Sequence, residues 1–375
     1  MNRKTNLTRR GVMKGAAAAM LATTGLSGLA PGRAHAGTTE LNMLSWYGHA
    51  EPEMIAAFEE QHNVRINKKY YVGGDQMLAL LAQSPPGTYD IVLSDREYIE
   101  QLAAAEMIEP LDPADYPFDD FFPEFQKMPG HWQGDTLLSV MIRFGYLGLS
   151  YNEEALSPED VRSYEILWNE RLAGKVGHFD WHLPNYGTVS KSLGHDTPFD
   201  LSDAQWQAVQ DRTSALKPQA AGFFDYGGVL SSLRSGQVLA VPGIGDWITG
   251  VLRRDGAPVN TAIPDEGGLL WAESLSIGRG SRHPELAREF IRYVLSPEGQ
   301  VKTATLEAYP ALLPTKSGWK ALAEQNPEEA ERQGMVLNGS NALDVLRDGR
   351  ISLRALPAQQ SLDDWNEAWS TYKNL

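Results

Sequence analysis

Tryptophan and carboxylate side chains recur together at places where the sequence predicts that a strand ends. Trp46 and Tyr47 follow the apolar run of residues 41–44, and Trp271 and Glu273 lie two residues apart in an extended segment. The other members of this candidate ligand-binding set are Ser94, Asp95, Asp180, Trp181, Asp246 and Trp247. An aromatic face attracts an ammonium group by about 0.5–2 kcal/mol, and a carboxylate adds a charge-assisted hydrogen bond. The pattern favours a small amine ligand, although a sugar would also stack on tryptophan.

Catalytic and metal-binding patterns are absent from the sequence. The chain has no cysteine, which excludes thiolate ligands and cysteine nucleophiles. His178 and His182 are four residues apart, but Pro184 and the strand-like residues before them argue against a shared metal. No zinc-protease motif, serine elbow or phosphate loop occurs. We therefore predict a protein that is not an enzyme and has no metal or cofactor, with a periplasmic enzyme as the less favoured alternative.

The N-terminal residues 1–36 have the composition of an export signal. Arg9 and Arg10 precede an alanine-rich apolar run, and Ala34-His35-Ala36 has the small-x-small pattern of a cleavage site. Paired arginines at this position resemble a twin-arginine signal, although a general secretory signal would share these features. Both readings predict a periplasmic protein that is cleaved near Ala36.

The charge of the chain argues against a nucleic-acid partner. The formal net charge is −15, and loss of the six basic residues of the signal would leave 27 basic and 48 acidic side chains, a net charge of −21. Binding of nucleic acid requires basic patches that neutralise phosphates. An acidic surface is compatible with a cationic small molecule, and it would equally serve solubility.

Strands and helices alternate through the first part of the mature chain. The segments LNMLSW, NVRINKKYYV and YDIVLSD predict strands, and each is followed by a helical pattern. Repeated units of this kind indicate a parallel sheet with helices on both faces. Ligands bind beyond the carboxyl ends of the strands in such sheets, which is where Trp46, Tyr47, Ser94 and Asp95 fall.

A second set of elements follows a loop at residues 112–135 that is rich in Pro, Asp and aromatics. Two extended segments within LLSVMIRFGYLGLSYN could carry the chain into a second domain. GKVGHFDWH predicts a strand, and LSDAQWQAVQDRTSALK a helix. The sequence between residues 227 and 278 predicts helix, strand, helix, strand and strand, and the tail from Pro284 is mostly helical.

The order of these segments resembles the periplasmic polyamine-binding (spermidine/putrescine) proteins of ABC importers, which are extracellular solute-binding proteins. The resemblance covers nearly the whole mature chain. It is carried by LNMLSWYGHAEPEMIAAFEEQHNVRI, GTYDIVLSDREYIEQLAAAEMIEPLD, YLGLSYNEEAL, GAPVNTAIPDEGGLLWAESLSIGRGSRHPELAREFIRYVLSPEGQ and YPALLP.

The resemblance implies a two-lobe periplasmic-binding-protein fold of type II. Each lobe would be a doubly wound α/β sheet flanked by helices, with the ligand in the cleft between the lobes. Lobe 1 would comprise residues 37–145 plus about 274–325, and lobe 2 residues 146–273 plus about 326–375. The resemblance also implies a monomer that binds a small cationic amine, delivers it to the transmembrane subunits of an ABC permease, and contacts the membrane only through them.

Some residues match the family pattern and others depart from it. Trp46, Ser94 and Trp271 have counterparts in the family, and Glu273 stands where the family has Asp. His49 replaces a tyrosine. The segment FDWHLPNYG carries one acidic residue, Asp180, where the family usually has two. The ligand is therefore either a polyamine with rearranged anchors or another solute, such as an amino-acid-like compound, a quaternary amine or a sugar.

Overall fold

The computed structural model describes residues 38–375, so the predicted signal peptide and its cleavage site lie outside the described residues. In the described part, no helix combines the length and the apolar character needed to cross a bilayer. The fold is mixed α/β, with a ten-stranded sheet and a separate two-stranded ribbon.

The elements of the first part follow the predicted alternation. In chain order they are β1 (Thr39–Ser45), α1 (Pro52–His62), β2 (Val64–Tyr70), α2 (Gly74–Gln83), β3 (Ile91–Asp95), α3 (Arg96–Ala104), α4 (Pro123–Gln126), β4 (Trp132–Gln133), β5 (Thr136–Leu137) and β6 (Val140–Asn152). Pro52 occupies the first turn of α1, where its missing N–H costs no hydrogen bond. The two extended segments that we expected at residues 137–152 are one long strand, β6.

The second part contains more elements than the sequence predicts. They are β7 (Val176–Phe179), α5 (His182–Ser192), α6 (Asp203–Ser214), β8 (Ala220–Phe224), α7 (Tyr226–Arg234), β9 (Ala240–Ile244), α8 (Asp246–Arg254), β10 (Val259–Ala262) and β11 (Gly268–Ile277). The tail adds α9 (Pro284–Leu295), α10 (Pro297–Ala304), α11 (Lys316–Gln325), α12 (Pro327–Arg332), α13 (Asp344–Arg347), β12 (Ile351–Leu353) and α14 (Leu362–Asn374). Helix α5 and strand β8 were not predicted.

Two long strands, β6 and β11, join the two halves of the sheet. The strand order is β2-β1-β3-β11-β6-β9-β7-β8, with β10 on β6 and β12 on β11. Strand β1 pairs in parallel with β2 and β3, as predicted. Strand β6 pairs with β11 over Val140–Leu147 and with β9 over Gly148–Tyr151. The two long strands therefore lie side by side between β3 of the first half and β9 of the second, which is the connection expected between two lobes.

The buried apolar residues form separate clusters along the sheet. Leu41 and Phe290 belong to a large cluster at the first half, and Val241 and Ile248 to another at the second. Within the tail, Met335 packs in the first-half cluster, whereas Trp365 of α14 packs against Tyr186 of α5. The lobe boundaries given above stay predictions.

Candidate functional site

Trp271 and Glu273 lie side by side on β11, in the stretch that pairs with β6. Trp271 is paired with Gly145, and Glu273 with Arg143 on one side and Asp95 on the other. Both side chains are buried. Gly145 lets the indole lie flat against the backbone, since a Cβ there would stand 2.7 Å from the Trp271 ring. The sheet thus brings three predicted residues, Asp95, Trp271 and Glu273, to one place.

A buried ion pair lies at the centre of this place. Arg143 Nε donates to Glu273 Oε2 at 2.8 Å, and Arg143 Nη1 donates to the carbonyl of Tyr309 at 2.6 Å. His49 Nε2 lies 2.6 Å from Arg143 Nη2 and 2.9 Å from Glu273 Oε2. Burial opposes ionisation of Glu273, but Arg143 and His49 outweigh it and lower the pKa of this carboxyl. Burial and Arg143 lower the pKa of His49, which favours the neutral imidazole.

A second charged cluster surrounds Arg354, which follows β12. Its Nη2 lies 2.8 Å from Asp95 Oδ1, its Nε donates to Glu97 Oε1 at 2.6 Å, and its guanidinium lies 4.5 Å from the centre of the Trp181 ring. Burial, and then repulsion from Glu97 and Glu273, raise the pKa of Asp95 to about 8 against the opposing effect of Arg354. The cluster joins Asp95 to Trp181, two residues from opposite halves of the sheet.

Trp46 and Tyr47 occupy the turn after β1, as the sequence predicts. The Trp46 ring packs 4.8 Å from Tyr71, and its Nε1 is buried. Tyr47 is 55% exposed and its ring lies 5.6 Å from Tyr70. Gly48 has a φ of +97° in this turn, a conformation that favours glycine. Trp46 therefore lies beside the strand ends, and Tyr47 reaches outwards.

Aromatic residues from other elements approach the same region. Tyr309 lies 4.9 Å from Tyr226 and 6.2 Å from Trp247, measured between ring centroids. Trp247 follows β9 as expected and shares a cavity of about 240 Å³ with Trp271 and Asp246. Arg332 Nη1 donates to both oxygens of Asp246, at 2.7 and 2.9 Å. Asp246 thus lines the cavity as one member of an ion pair.

Ser94 and Asp180 have their contacts elsewhere. Ser94 is fully buried and pairs with Ser274, whose hydroxyl lies 2.6 Å from His131 Nε2. Asp180 accepts hydrogen bonds from Trp369 at 2.8 Å and from Lys373 at 2.9 Å, both on α14. The structure therefore does not bring Asp180 into the cluster around Glu273.

The architecture and the site can be compared with known proteins. The model of the bacterial extracellular solute-binding protein family matches residues 53–327. The chain belongs to this family. The match spans both halves of the sheet and includes Asp95, Arg143 and Glu273.

Several proteins are similar to this solute-binding protein in sequence or in structure. The spermidine/putrescine-binding periplasmic protein of Escherichia coli is 23% identical over 292 residues, which cover 77% of this chain and 82% of that protein. The putrescine/cadaverine-binding protein of Pseudomonas aeruginosa is 24% identical over 287 residues, which cover 71% and 78%. A spermidine/putrescine ABC transporter substrate-binding protein from Streptococcus pneumoniae aligns with a TM-score of 0.72 and 17% identity, over 90% of this chain and 99% of that one. The likeness confirms the two-lobe periplasmic-binding fold.

Three residues of the candidate site were missed by the sequence reasoning: Arg143, Tyr309 and Arg354. Arg143 had a recognisable signal, because it is a single charge within the apolar run SVMIRFGYL. A charge buried in a central strand needs a partner, and its partner marks the site. Among residues 38–375, no group of three or more His, Cys, Asp or Glu side chains is placed to hold a metal.

Proposed function

We propose that this protein is the substrate-binding component of an ABC importer and that it captures a small amine in the cleft between its lobes. The observation that carries the proposal is that Trp271 and Glu273 lie two residues apart on β11, between β3 and the long connecting strand β6. An indole face and a neighbouring carboxylate together suit an ammonium group and its methylenes. The relatives from Escherichia coli and Pseudomonas aeruginosa, whose names state polyamine ligands, support this chemistry.

We also propose where the protein acts and which proteins it meets there. A twin-arginine signal in residues 1–36 would export the chain to the periplasm, with cleavage near Ala36. The protein would act there as a monomer without catalytic activity. It would touch the membrane only by delivering its ligand to the permease subunits. Lobe 1 would comprise residues 37–145 plus about 274–325, and lobe 2 the remainder of the mature chain.

Isothermal titration of the protein purified from the periplasm tests the ligand class. We expect a saturable heat with at least one compound among putrescine, spermidine and short monoamines or amino acids. Trp271→Ala and Glu273→Ala should each weaken binding by about tenfold or more. Glu106→Ala is the matched control, because Glu106 forms an exposed pair with Arg279. Absence of both heat and thermal shift with every amine would contradict the proposal.

Titration at two salt concentrations separates an amine from a neutral sugar. Attraction between charged groups weakens as the ionic strength rises, whereas stacking of a sugar on tryptophan does not depend on charge. We expect the affinity for the amine to fall between low and high salt. An affinity that is independent of salt, together with binding of sugars, would favour the neutral solute.

A further inference from the structure

Every carboxylate proposed from the sequence as an anchor for an amine already has a basic partner. The pairs are Asp95–Arg354 at 2.8 Å, Asp180–Lys373 at 2.9 Å, Asp246–Arg332 at 2.7 Å and Glu273–Arg143 at 2.8 Å. A diamine recognised at both ends requires two carboxylates with charge to spare. Displacing an arginine to release one would leave a buried guanidinium unpaired, which is costly.

The formal charges of the central cluster sum to zero when all of its carboxyl groups are ionised, and a proton on Asp95, whose pKa is raised to about 8, would leave one positive charge in excess. Asp95, Glu97 and Glu273 contribute three acidic groups; Arg96, Arg143 and Arg354 contribute three basic ones. Within residues 38–375, Arg96 donates hydrogen bonds to the carbonyls of Pro129 and Arg354 rather than to a carboxylate. His49 adds no charge in its neutral form. The cluster has no negative charge in excess, whether Asp95 is ionised or holds a proton, so it would not neutralise a ligand with two positive charges. A ligand with no net charge brings no such excess.

The hydrogen-bonding groups near the cluster indicate what else the ligand carries. Four buried N–H donors of this region find no acceptor within residues 38–375: Trp46 Nε1, Arg96 Nε, Trp271 Nε1 and Arg354 Nη2. Arg354 Nη2 is close to Asp95 but lacks the alignment of a hydrogen bond. An ammonium group only donates hydrogen bonds and cannot satisfy these donors. A carboxylate can accept several of them.

Acceptors for an ammonium group lie next to these donors. Both contacts of Arg143 and His49 with Glu273 fall on Oε2, so they leave Oε1 free of these two partners. Glu273 is directly paired with Asp95, which in turn contacts Arg354. A short molecule could therefore place its ammonium at Glu273, against Trp271, and an acceptor group at Arg354.

We infer that the ligand is a small zwitterion, with an ammonium group held by Glu273 and Trp271 and a carboxylate held by Arg354. The inference rests on the proposed function and narrows it, since such a ligand is an amine that also carries an anionic end. Arg354 is then the residue that determines specificity, by requiring the carboxylate that a polyamine lacks.

A matched series of four-carbon ligands tests the inference on the unaltered protein. The series consists of 4-aminobutanoate, 1,4-diaminobutane, butan-1-amine and butanedioate, each titrated by calorimetry. We expect 4-aminobutanoate to bind at least tenfold more tightly than the other three. Equal or tighter binding of the diamine would overturn the zwitterion inference but leave the proposed function intact. Tightest binding of the diacid would also overturn it, and failure of every amine to bind would overturn both.

Replacement of Arg354 tests the assigned carboxylate contact. Arg354→Gln should weaken binding of 4-aminobutanoate at least tenfold but should not weaken binding of butan-1-amine, which has no carboxylate and gains from the loss of a nearby positive charge. Arg279→Gln, in an exposed ion pair with Glu106, is the control and should change neither. An equal loss for both ligands, or no loss for 4-aminobutanoate, would overturn the contact. If Arg354→Gln does not fold, Arg354→Lys makes the same comparison, because lysine keeps the charge but loses the planar fork.

Discussion

Arg143 and Glu273 face each other across β6 and β11, with the guanidinium Nε 2.8 Å from the carboxylate Oε2. These two strands connect the halves of the sheet, and the side chains are 2% and 10% exposed. The pair is therefore a structural part of the site as well as a candidate contact for the ligand.

Removing one residue of the Arg143–Glu273 ion pair should destabilise the protein strongly. Arg143→Met leaves Glu273 charged and buried, and we expect a loss of about 3–5 kcal/mol in the free energy of unfolding. The double variant Arg143→Met/Glu273→Leu should recover most of this loss, since neither buried charge remains. Urea denaturation measures the free energy of unfolding of the single and the double variant. The exposed pair Arg279–Glu106 is the control, where Arg279→Gln should cost no more than about 1 kcal/mol. An equally small loss for Arg143→Met would show that the pair is solvated.

Gly145 should be required for the position of the Trp271 ring. In Gly145→Ala the new Cβ would stand 2.7 Å from the ring, so the indole must move away from the backbone of β6. We expect affinity for the amine ligand to fall by about tenfold, because the aromatic face no longer meets the ammonium. Gly227→Ala is the matched control, as the nearest atom to its Cβ would be 3.9 Å away. Unchanged affinity in Gly145→Ala would remove Trp271 from the site.

Much of the first half of the sheet could be predicted from the sequence, because its strands are apolar runs and its helices have one apolar face. Helix α5 could not. Nearly all of its residues are buried, so it shows no amphipathic pattern, and Pro184 lies at its third position. A helix covered on all sides is hard to distinguish from a strand or a loop by hydrophobic period alone.

The sequence predicts several residues of the candidate site but not the basic residues that pair with them. The predicted strand ends gave Trp46 and Asp95, since the ends of neighbouring strands meet at one edge. Trp271 and Glu273 were also expected at a strand end, but they lie inside β11. The basic partners come from distant parts of the chain: Arg143 is 130 residues from Glu273, and Arg354 is 257 residues from Glu97. Ion pairs between residues so far apart cannot be predicted from a local sequence pattern. A carboxylate that already has such a basic partner is less available to a ligand.

Trp271 should contribute to ligand binding in two separable ways, through the face of its ring and through its N–H group. Trp271→Phe keeps an aromatic face but removes the buried Nε1 donor, which lacks an acceptor in the described chain. We expect Trp271→Phe to weaken binding of 4-aminobutanoate more than binding of butan-1-amine, because only the former offers an acceptor. Trp271→Ala should weaken both. Calorimetry compares the variants with Trp132→Phe, whose ring packs against Phe118. An equal effect of Trp271→Phe on the two ligands would mean that the N–H does not face the carboxylate.

The stability of the protein should fall as the pH rises through the range in which Asp95 ionises. The pKa of Asp95 is raised to about 8 in the folded protein, mainly by burial, whereas an unfolded aspartate titrates near 4. Between these values the folded state holds a proton that the unfolded state has lost, so the contribution of Asp95 to stability declines with rising pH and levels off above about 8.

Thermal unfolding between pH 5 and pH 9 measures this decline, with Asp95→Asn as the comparison. Asparagine cannot ionise, so the melting temperature of the unaltered protein should fall relative to that of Asp95→Asn as the pH rises. Because the lowered pKa of His49 makes stability rise with pH below about 6.5, it opposes the effect of Asp95 there. His49 is present in both proteins, so its contribution cancels in the difference between their melting temperatures. Asp135→Asn is the control, because this side chain is 99% exposed. Melting temperatures that stay parallel across the range would mean that Asp95 is ionised throughout, held by Arg354 at 2.8 Å.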